Sequence, residues 1–165
     1  MNKRIRQYIG LFSAVFAFYC FHEGAHLVFA LLTGAFRQIN FMGLGVQIDI
    51  YAERLTDVQL GLFCLAGAAA TAAAGYGLTF AVKRICQIRS KAFKACMYYI
   101  TIAMLLIDPL YLSLLCGFFG GGDMNGIALL LPEPIARALF GALMICNALL
   151  FFRYILPCYT RSFSE

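Results

Sequence analysis

The only two histidines of this chain stand four residues apart, in the run His22-Glu23-Gly24-Ala25-His26. Residues at that spacing lie on one face of an α-helix, so both imidazoles can bind a single metal ion. The glutamate beside the first histidine is then placed to take a proton from a metal-bound water. With this composition, an H-E-x-x-H run arises by chance on the order of once in a thousand chains. The run therefore predicts a metal-dependent hydrolytic site.

The sequence leaves the third metal ligand open between two aspartates. A catalytic zinc site takes three protein ligands and leaves the fourth position to water. Asp108 precedes Pro109 in the middle of an apolar segment, at a depth similar to that of the histidines. Asp123 follows the glycine run 120–122, which would let the chain bend back into the protein. As structural alternatives, Asp123 could cap the next helix, and Asp108 could satisfy backbone groups that the proline leaves free.

The composition places most of the chain in lipid. Of its 165 residues, 62% are hydrophobic and 13% are charged, whereas soluble domains average about 25% charged residues. These values exclude a disordered or collagen-like chain. The seven cysteines are odd in number and lack C-x-x-C spacing, so we expect free, apolar side chains and no disulfide scaffold. No basic-aromatic patch accompanies the net charge of +5, so nucleic acid is not an expected partner.

Hydropathy predicts the elements that must position the site. Four apolar segments, 8–32, 60–82, 95–119 and 134–156, are near or above the length that crosses ~30 Å of hydrocarbon as a helix. Alternating apolar and polar residues over 36–51 predict a β-hairpin between the first two segments. Gly67, Thr71 and Gly75 put small residues at four-residue spacing, which favours close helix packing. The sequence thus predicts an all-α polytopic membrane protein with one small membrane-associated hairpin, forming a single domain over 1–165.

Basic residues predict the orientation of these helices. Lys3, Arg4 and Arg6 precede the first segment, and five more Lys or Arg residues lie within 83–94, between the second and third segments. The connection after the third segment contains none before the fourth begins. By the positive-inside rule, we expect a multi-pass protein of the cell membrane with both termini in the cytoplasm.

These features together resemble the site-2 protease group of intramembrane zinc metallopeptidases, the M50 family, and most closely its compact M50B-like branch. The resemblance spans residues 22–132, and only the H-E-x-x-H run is specific. The remaining similarity is one of arrangement: a hairpin after the first span, a small-residue span beginning at Ala66-Gly67, and Gly122-Asp123 some nine residues before Pro132.

The resemblance implies a cofactor and a role for each site residue. It implies Zn²⁺ held by His22, His26 and Asp123, with Glu23 as the catalytic base. Larger members of the family have an Asn/Pro motif with Asp-Gly close behind, whereas Asp108 precedes Asp123 by fifteen residues here. Many relatives also place the catalytic centre near the cytoplasmic face, whereas the basic residues of this chain place it toward the opposite side.

The expected function is intramembrane zinc-dependent proteolysis of membrane-embedded or membrane-proximal polypeptides, with Glu23 as general base on a zinc-bound water. The alternative is a non-catalytic zinc-binding membrane protein that sequesters or senses a partner. Expected partners are a polypeptide substrate and the lipid bilayer, with a regulatory membrane partner or homo-oligomer left open. The hairpin edge could pair with an extended substrate or simply plug the bundle. Bis-histidine haem is excluded, because two imidazoles on one helix face cannot bind opposite sides of an iron.

Overall fold

A computed structural model describes residues 2–43, 45–118 and 122–164, with only the backbone of Met42. Leu44 in the predicted hairpin turn, Phe119 at the end of the third apolar segment, and Gly120 and Gly121 in the predicted bend lie outside the described residues.

Helices dominate the structure, and a single two-stranded sheet lies between the first two within the described residues. The third long helix continues past Pro109 through a π-helical turn and a short 3₁₀ turn, Tyr111–Leu115 and Cys116–Phe118. The last long helix likewise continues through a π-helical turn, Phe151–Ile155. The elements are α1 (Lys3–Leu32), β1 (Phe36–Met42), β2 (Gly45–Ile50), α2 (Asp57–Cys86), α3 (Lys91–Leu110), α4 (Asp123–Ile127), α5 (Glu133–Leu150) and α6 (Leu156–Ser164).

In the part of the chain that the structure describes, four helices are long and apolar enough to cross a membrane, namely Lys3–Leu32, Asp57–Cys86, Lys91–Phe118 and Glu133–Ser164. This confirms the predicted all-α polytopic class. Large apolar side chains point away from the protein on these helices, and the exposed fraction of Phe80 reaches 87%. A water-soluble surface rarely carries so much contiguous apolar area, whereas lipid tails solvate it.

Local sequence signals explain where the helices begin. The start of α2 has a capping box, in which the Thr56 side chain accepts from the Gln59 amide and the Gln59 side chain accepts from the Thr56 amide. Ser90 caps α3 by accepting from the Phe93 amide. Both helices therefore begin three or four residues before the apolar segments that predicted them, because caps and not hydropathy set their ends.

The predicted hairpin is confirmed. Strands β1 and β2 pair antiparallel, with Ile39 opposite Ile48 and Phe41 opposite Val46. Gly43 has φ +62°, a left-handed conformation that glycine adopts without strain in a tight turn. Strand β2 packs against α1, so the hairpin lies directly beside the helix that carries the histidines.

Helix α2 lies inside the bundle along its small-residue stripe. Gly67, Thr71 and Gly75 are buried, and α2 packs against α1, α3 and α4. A Cβ on Gly75 would lie 2.7 Å from a Leu105 methyl group, so the backbone of α2 approaches α3 closely at this point. All seven cysteines are free, as expected; Cys64 and Cys116 are buried, whereas Cys20 and Cys146 are exposed.

Candidate metal centre

The two histidines of α1 point their Nε2 atoms toward each other, 3.2 Å apart. The opposite ring nitrogen of each has its own partner. His26 Nδ1 lies 2.8 Å from the carbonyl oxygen of Phe63 on α2, and His22 Nδ1 lies 3.2 Å from the Asp108 carboxylate on α3. Each ring is therefore held in place through its Nδ1 atom, and both rings direct Nε2 toward the same point.

Asp123, the first residue of α4, supplies an oxygen at that point. Its Oδ2 lies 3.2 Å from His22 Nε2 and 3.5 Å from His26 Nε2. Gly122 is the residue that precedes α4, with φ +44°, and it lets the chain turn sharply into the helix. The Asp123 side chain is thereby directed at the histidine pair, and the helix-cap alternative does not describe its contacts.

The three facing atoms form a nearly equilateral triangle with edges of 3.2, 3.2 and 3.5 Å. Zinc bonds of roughly 2.0–2.1 Å at tetrahedral angles place neighbouring ligand atoms about 3.3 Å apart. The triangle therefore has the size of one face of a tetrahedral zinc site. The donor set of two imidazoles and one carboxylate also matches the type of set that catalytic zinc sites use. The residues present could therefore hold a metal ion.

The hydrogen-bond partners of the two Nδ1 atoms indicate what the facing Nε2 atoms require between them. The Phe63 carbonyl can only accept, so His26 Nδ1 carries the proton and a neutral ring leaves a lone pair on Nε2. The same holds for His22, whose Nδ1 faces the Asp108 carboxylate. Two nitrogen lone pairs and a carboxylate oxygen then face one another, an arrangement that only a proton or a metal cation between them makes favourable.

The Asp123 carboxyl depends on its imidazole neighbours for its charge state. Burial alone would raise the pKa of this carboxyl group, but hydrogen bonds and positive charge from the two imidazoles, when a proton lies between them, outweigh burial and lower this pKa to about 2. The exposed fraction of the Asp123 side chain is 21%, and that of the His26 side chain is 4%. The triangle thus lies in a site that is largely shielded from solvent.

Asp108 lies on the far side of the His22 ring from the triangle. Its carboxylate contacts His22 Nδ1 and accepts a hydrogen bond from the buried hydroxyl of Thr71 on α2. Carboxylates in this position fix the tautomer and orientation of a ligating histidine and raise its basicity. The group of atoms that could hold a metal comprises His22, His26 and Asp123. Of the two aspartates that the sequence left open, Asp123 belongs to the triangle, whereas Asp108 contacts the opposite edge of the His22 ring at Nδ1.

Glu23 lies on the rim of the same cavity and does not belong to the triangle. Its Oε2 accepts a hydrogen bond of 3.2 Å from the backbone N–H of Ile48 in β2. The cavity has a volume of about 570 Å³ and is lined by the histidines, Glu23, both aspartates and β2. The hairpin therefore forms one wall of the site and holds the candidate base in place.

A glycine on α2 makes room for the histidine rings. A Cβ on Gly67 would lie 2.6 Å from His26 Nε2 and 2.7 Å from His22 Cε1. Distances this short are not found for real Cβ atoms, so any larger residue would displace the rings. The sequence pattern predicted close helix packing at Gly67, but not that the packing partner is the histidine pair.

Three supporting groups were not predicted as part of the site: the Phe63 carbonyl, the Ile48 amide and the Thr71 hydroxyl. The first two are backbone atoms, which leave no residue-type signal. Thr71 was recognised only as a small residue of the α2 stripe.

Comparison with known proteins adds no identification: no family model, no curated protein and no solved structure matches this chain.

Proposed function

We propose that this protein is an intramembrane zinc metallopeptidase that hydrolyses peptide bonds of membrane-embedded or membrane-proximal polypeptides. The observation that carries the proposal is the triangle formed by His22 Nε2, His26 Nε2 and Asp123 Oδ2, with Glu23 beside it. A triangle of this size supports three-ligand zinc binding, and three ligands leave one position for the chemistry.

His22, His26 and Asp123 would hold the zinc ion. When bound, Zn²⁺ supplies Lewis-acid activation of water and of the scissile carbonyl. Asp108 and Thr71 keep His22 in the tautomer whose Nε2 is free to bind, and the Phe63 carbonyl does the same for His26.

Glu23 is the group that moves the proton. Its carboxylate oxygen takes a proton from the attacking water and delivers it to the nitrogen of the leaving amine. The Ile48 amide donates to Oε2, so this oxygen is oriented while the carboxylate retains lone pairs for the proton transfer. General acid–base catalysis of this kind contributes about 10²–10⁴-fold in rate.

An extended polypeptide suits the cavity better than a helical one. A helix hides its amide groups within its own hydrogen bonds, whereas an extended segment exposes them. The cavity wall contributed by β2 includes Val46, Gln47 and Ile48, so a substrate segment can run beside this strand. The opposite walls, with Phe18, Phe63 and Leu115, are apolar and suit the side chains of a membrane-spanning substrate.

The proposal includes the cell membrane as location, with both termini in the cytoplasm. The support is the cluster of Lys and Arg at the start of α1 and around the α2–α3 connection. The histidines then lie toward the outer side, because they follow about two thirds of α1. Reporter fusions at residues 2 and 164 test the orientation, and an extracytoplasmic signal from either would overturn it.

The decisive experiment substitutes the base and leaves the ligands intact. We expect Glu23→Gln to retain zinc at the wild-type stoichiometry and to lose cleavage of a panel of transmembrane-peptide substrates by about 10²-fold or more. Zinc content is measured by mass spectrometry of the purified protein, and cleavage is followed by product mass. Glu53→Gln, an exposed carboxylate outside the cavity, is the matched control and should cleave normally.

The same experiment separates the catalytic proposal from its alternative. Zinc binding by the wild-type protein with no cleavage of any substrate would favour a non-catalytic zinc-binding membrane protein. Undiminished cleavage by Glu23→Gln would overturn the assigned mechanism.

A further inference from the structure

A second cavity of about 570 Å³ lies at the other end of α1 from the histidines, between the first turns of α1, the start of α3 and α6. Two cations, Lys3 and Arg6, line it together with Tyr98, Tyr99 and Thr160. Among the described residues, none that lines this basic cavity is an Asp or a Glu.

Two further cations of α3 converge on the same end of α6. Lys94 is 95% buried and donates from Nζ to the carbonyl of Ser162, and Lys91 Nζ donates to the carbonyl of Phe163 at 3.3 Å. The Phe163 ring lies between cations, 5.5 Å from Lys94 Nζ and 5.8 Å from the Arg6 guanidinium carbon. The last turn of α6 is thus surrounded by positive charge.

This positive charge is not neutralised within residues 2–43, 45–118 and 122–164. Over those residues, no carboxylate lies within ion-pair distance of any of the four cations. The carbonyl groups at the end of α6 offer only partial negative charge, equivalent to about half an elementary charge for a whole helix terminus. A negatively charged group in the basic cavity would therefore be attracted by Lys3 and Arg6.

The surroundings of the basic cavity are those of a lipid headgroup site. Gln7 lines the cavity, and Leu11 and Val15 follow it one and two turns further along the same face of α1. These two side chains are 50% and 47% exposed, so they offer an apolar path from the cavity into the hydrocarbon region. Tyr98 and Tyr99 are the residue type enriched at the headgroup level of membranes.

We propose that the basic cavity binds the phosphate group of an anionic phospholipid, with an acyl chain along Leu11 and Val15. Basic pockets between membrane helices are known sites for anionic headgroups. A free phosphate ion would satisfy the cations, but it would leave the adjoining apolar face uncovered. This site is independent of the metal centre and of the proposed peptidase activity.

The test compares lipids and charges on the full-length protein. Purified, delipidated protein in a neutral detergent is titrated with phosphatidylglycerol, phosphatidylcholine or inorganic phosphate, and binding is measured by native mass spectrometry. We expect phosphatidylglycerol to bind at least tenfold more tightly than phosphatidylcholine. Lys3→Gln combined with Arg6→Gln should weaken phosphatidylglycerol binding about tenfold.

The control removes the same charge elsewhere on the same side of the molecule. Lys83→Gln combined with Arg84→Gln, at the exposed end of α2, should leave phosphatidylglycerol binding within twofold of wild type. All four residues are at the surface or only half-buried, so both double variants should fold, which monodisperse elution and helical circular dichroism verify.

Three results would overturn the proposal. If both double variants weakened phosphatidylglycerol binding equally, the effect would come from net charge and not from the basic cavity. Equal binding of the two phospholipids would show that the cavity does not select an anionic headgroup. Binding of inorganic phosphate as tight as that of phosphatidylglycerol would assign the cavity to the free ion.

Discussion

At the scale of single residues, the two aspartates of the site differ in which nitrogen of His22 they face. Asp123 contacts Nε2, the atom shared with His26, whereas Asp108 contacts Nδ1 on the opposite edge of the ring. An imidazole that binds zinc through one nitrogen usually donates from the other to a carboxylate or carbonyl. The proposed metal site therefore gives the same residue type two roles, ligand for Asp123 and support for Asp108.

This difference predicts unequal effects on metal binding. Asp123→Ala removes a ligand and should lose most bound zinc, whereas Asp108→Ala removes a supporting group and should weaken zinc affinity about 10–100-fold. Zinc stoichiometry at limiting and at saturating zinc distinguishes the two, because the Asp108 variant should fill at saturation. Asp49→Ala on the hairpin serves as the control. If the Asp108 variant lost more zinc than the Asp123 variant, the two roles would be exchanged.

The histidines and Glu23 could be predicted from sequence because their spacing within one helix fixes their relative positions. Spacing did not select the third candidate ligand, which only the family resemblance assigned to Asp123. Counting residues from the basic ends gives similar depths for His22 and Asp108, and Asp123 follows glycines whose path no pattern specifies. Choosing between them required the rotation of the His22 ring, which depends on contacts between α1, α3 and α4.

At the scale of secondary-structure elements, α2 acts as the support against which the histidine face of α1 rests. Gly67 lets the His22 and His26 rings lie directly against α2. One turn earlier on α2, the carbonyl oxygen of Phe63 accepts a hydrogen bond from His26 Nδ1. The small-residue stripe of α2 thus sets the position of the metal ligands as well as the packing of the bundle.

A methyl group on Gly67 should therefore damage the metal site more than the fold. Gly67→Ala places Cβ 2.6 Å from His26 Nε2, so we expect zinc affinity to fall at least tenfold and cleavage to fall with it. Gly77→Ala, on the same helix with nothing within 4 Å of its Cβ, should be neutral in both measurements. Wild-type zinc affinity in the Gly67 variant would show that the rings can move aside without cost.

The hairpin illustrates what element patterns can and cannot predict. Alternation of apolar and polar residues predicted both strands, and the observed register pairs the residues of the two runs. The contact between Ile48 and Glu23 was not predictable, because a backbone amide is present at every position and only the docking of β2 on α1 selects this one.

At the scale of the whole molecule, the metal centre joins four elements that are distant in sequence. The candidate ligands come from α1 and α4, and the groups that contact them come from α2 and α3. Hydropathy predicted the number and order of the membrane helices, because each span must be apolar over its whole length. It could not predict which faces meet, since lipid tails and protein interiors are equally apolar.

Removing the metal should therefore destabilise the entire bundle. A ligand present at about 1,000 times its dissociation constant stabilises the folded state by about 4 kcal/mol, which corresponds to about 10 °C in a domain of this size. We expect a strong chelator to lower the melting temperature of the wild-type protein in detergent by about that amount.

The control for this prediction is the ligand variant. Asp123→Ala already lacks the metal, so its melting temperature should be low and should not respond to the chelator. An unchanged wild-type melting temperature after verified zinc removal would mean that the bundle does not depend on the metal.

The distance of 101 residues between His22 and Asp123 also has a consequence in time. During synthesis the two histidines are made before the hairpin and before the three further helices that are long enough to span a membrane. A nascent chain that ends before Asp123 carries only part of the ligand set. Metal binding at the proposed triangle, and with it the proposed hydrolytic activity, therefore requires that synthesis has passed Asp123, because a shorter nascent chain has the two histidines without their carboxylate partner.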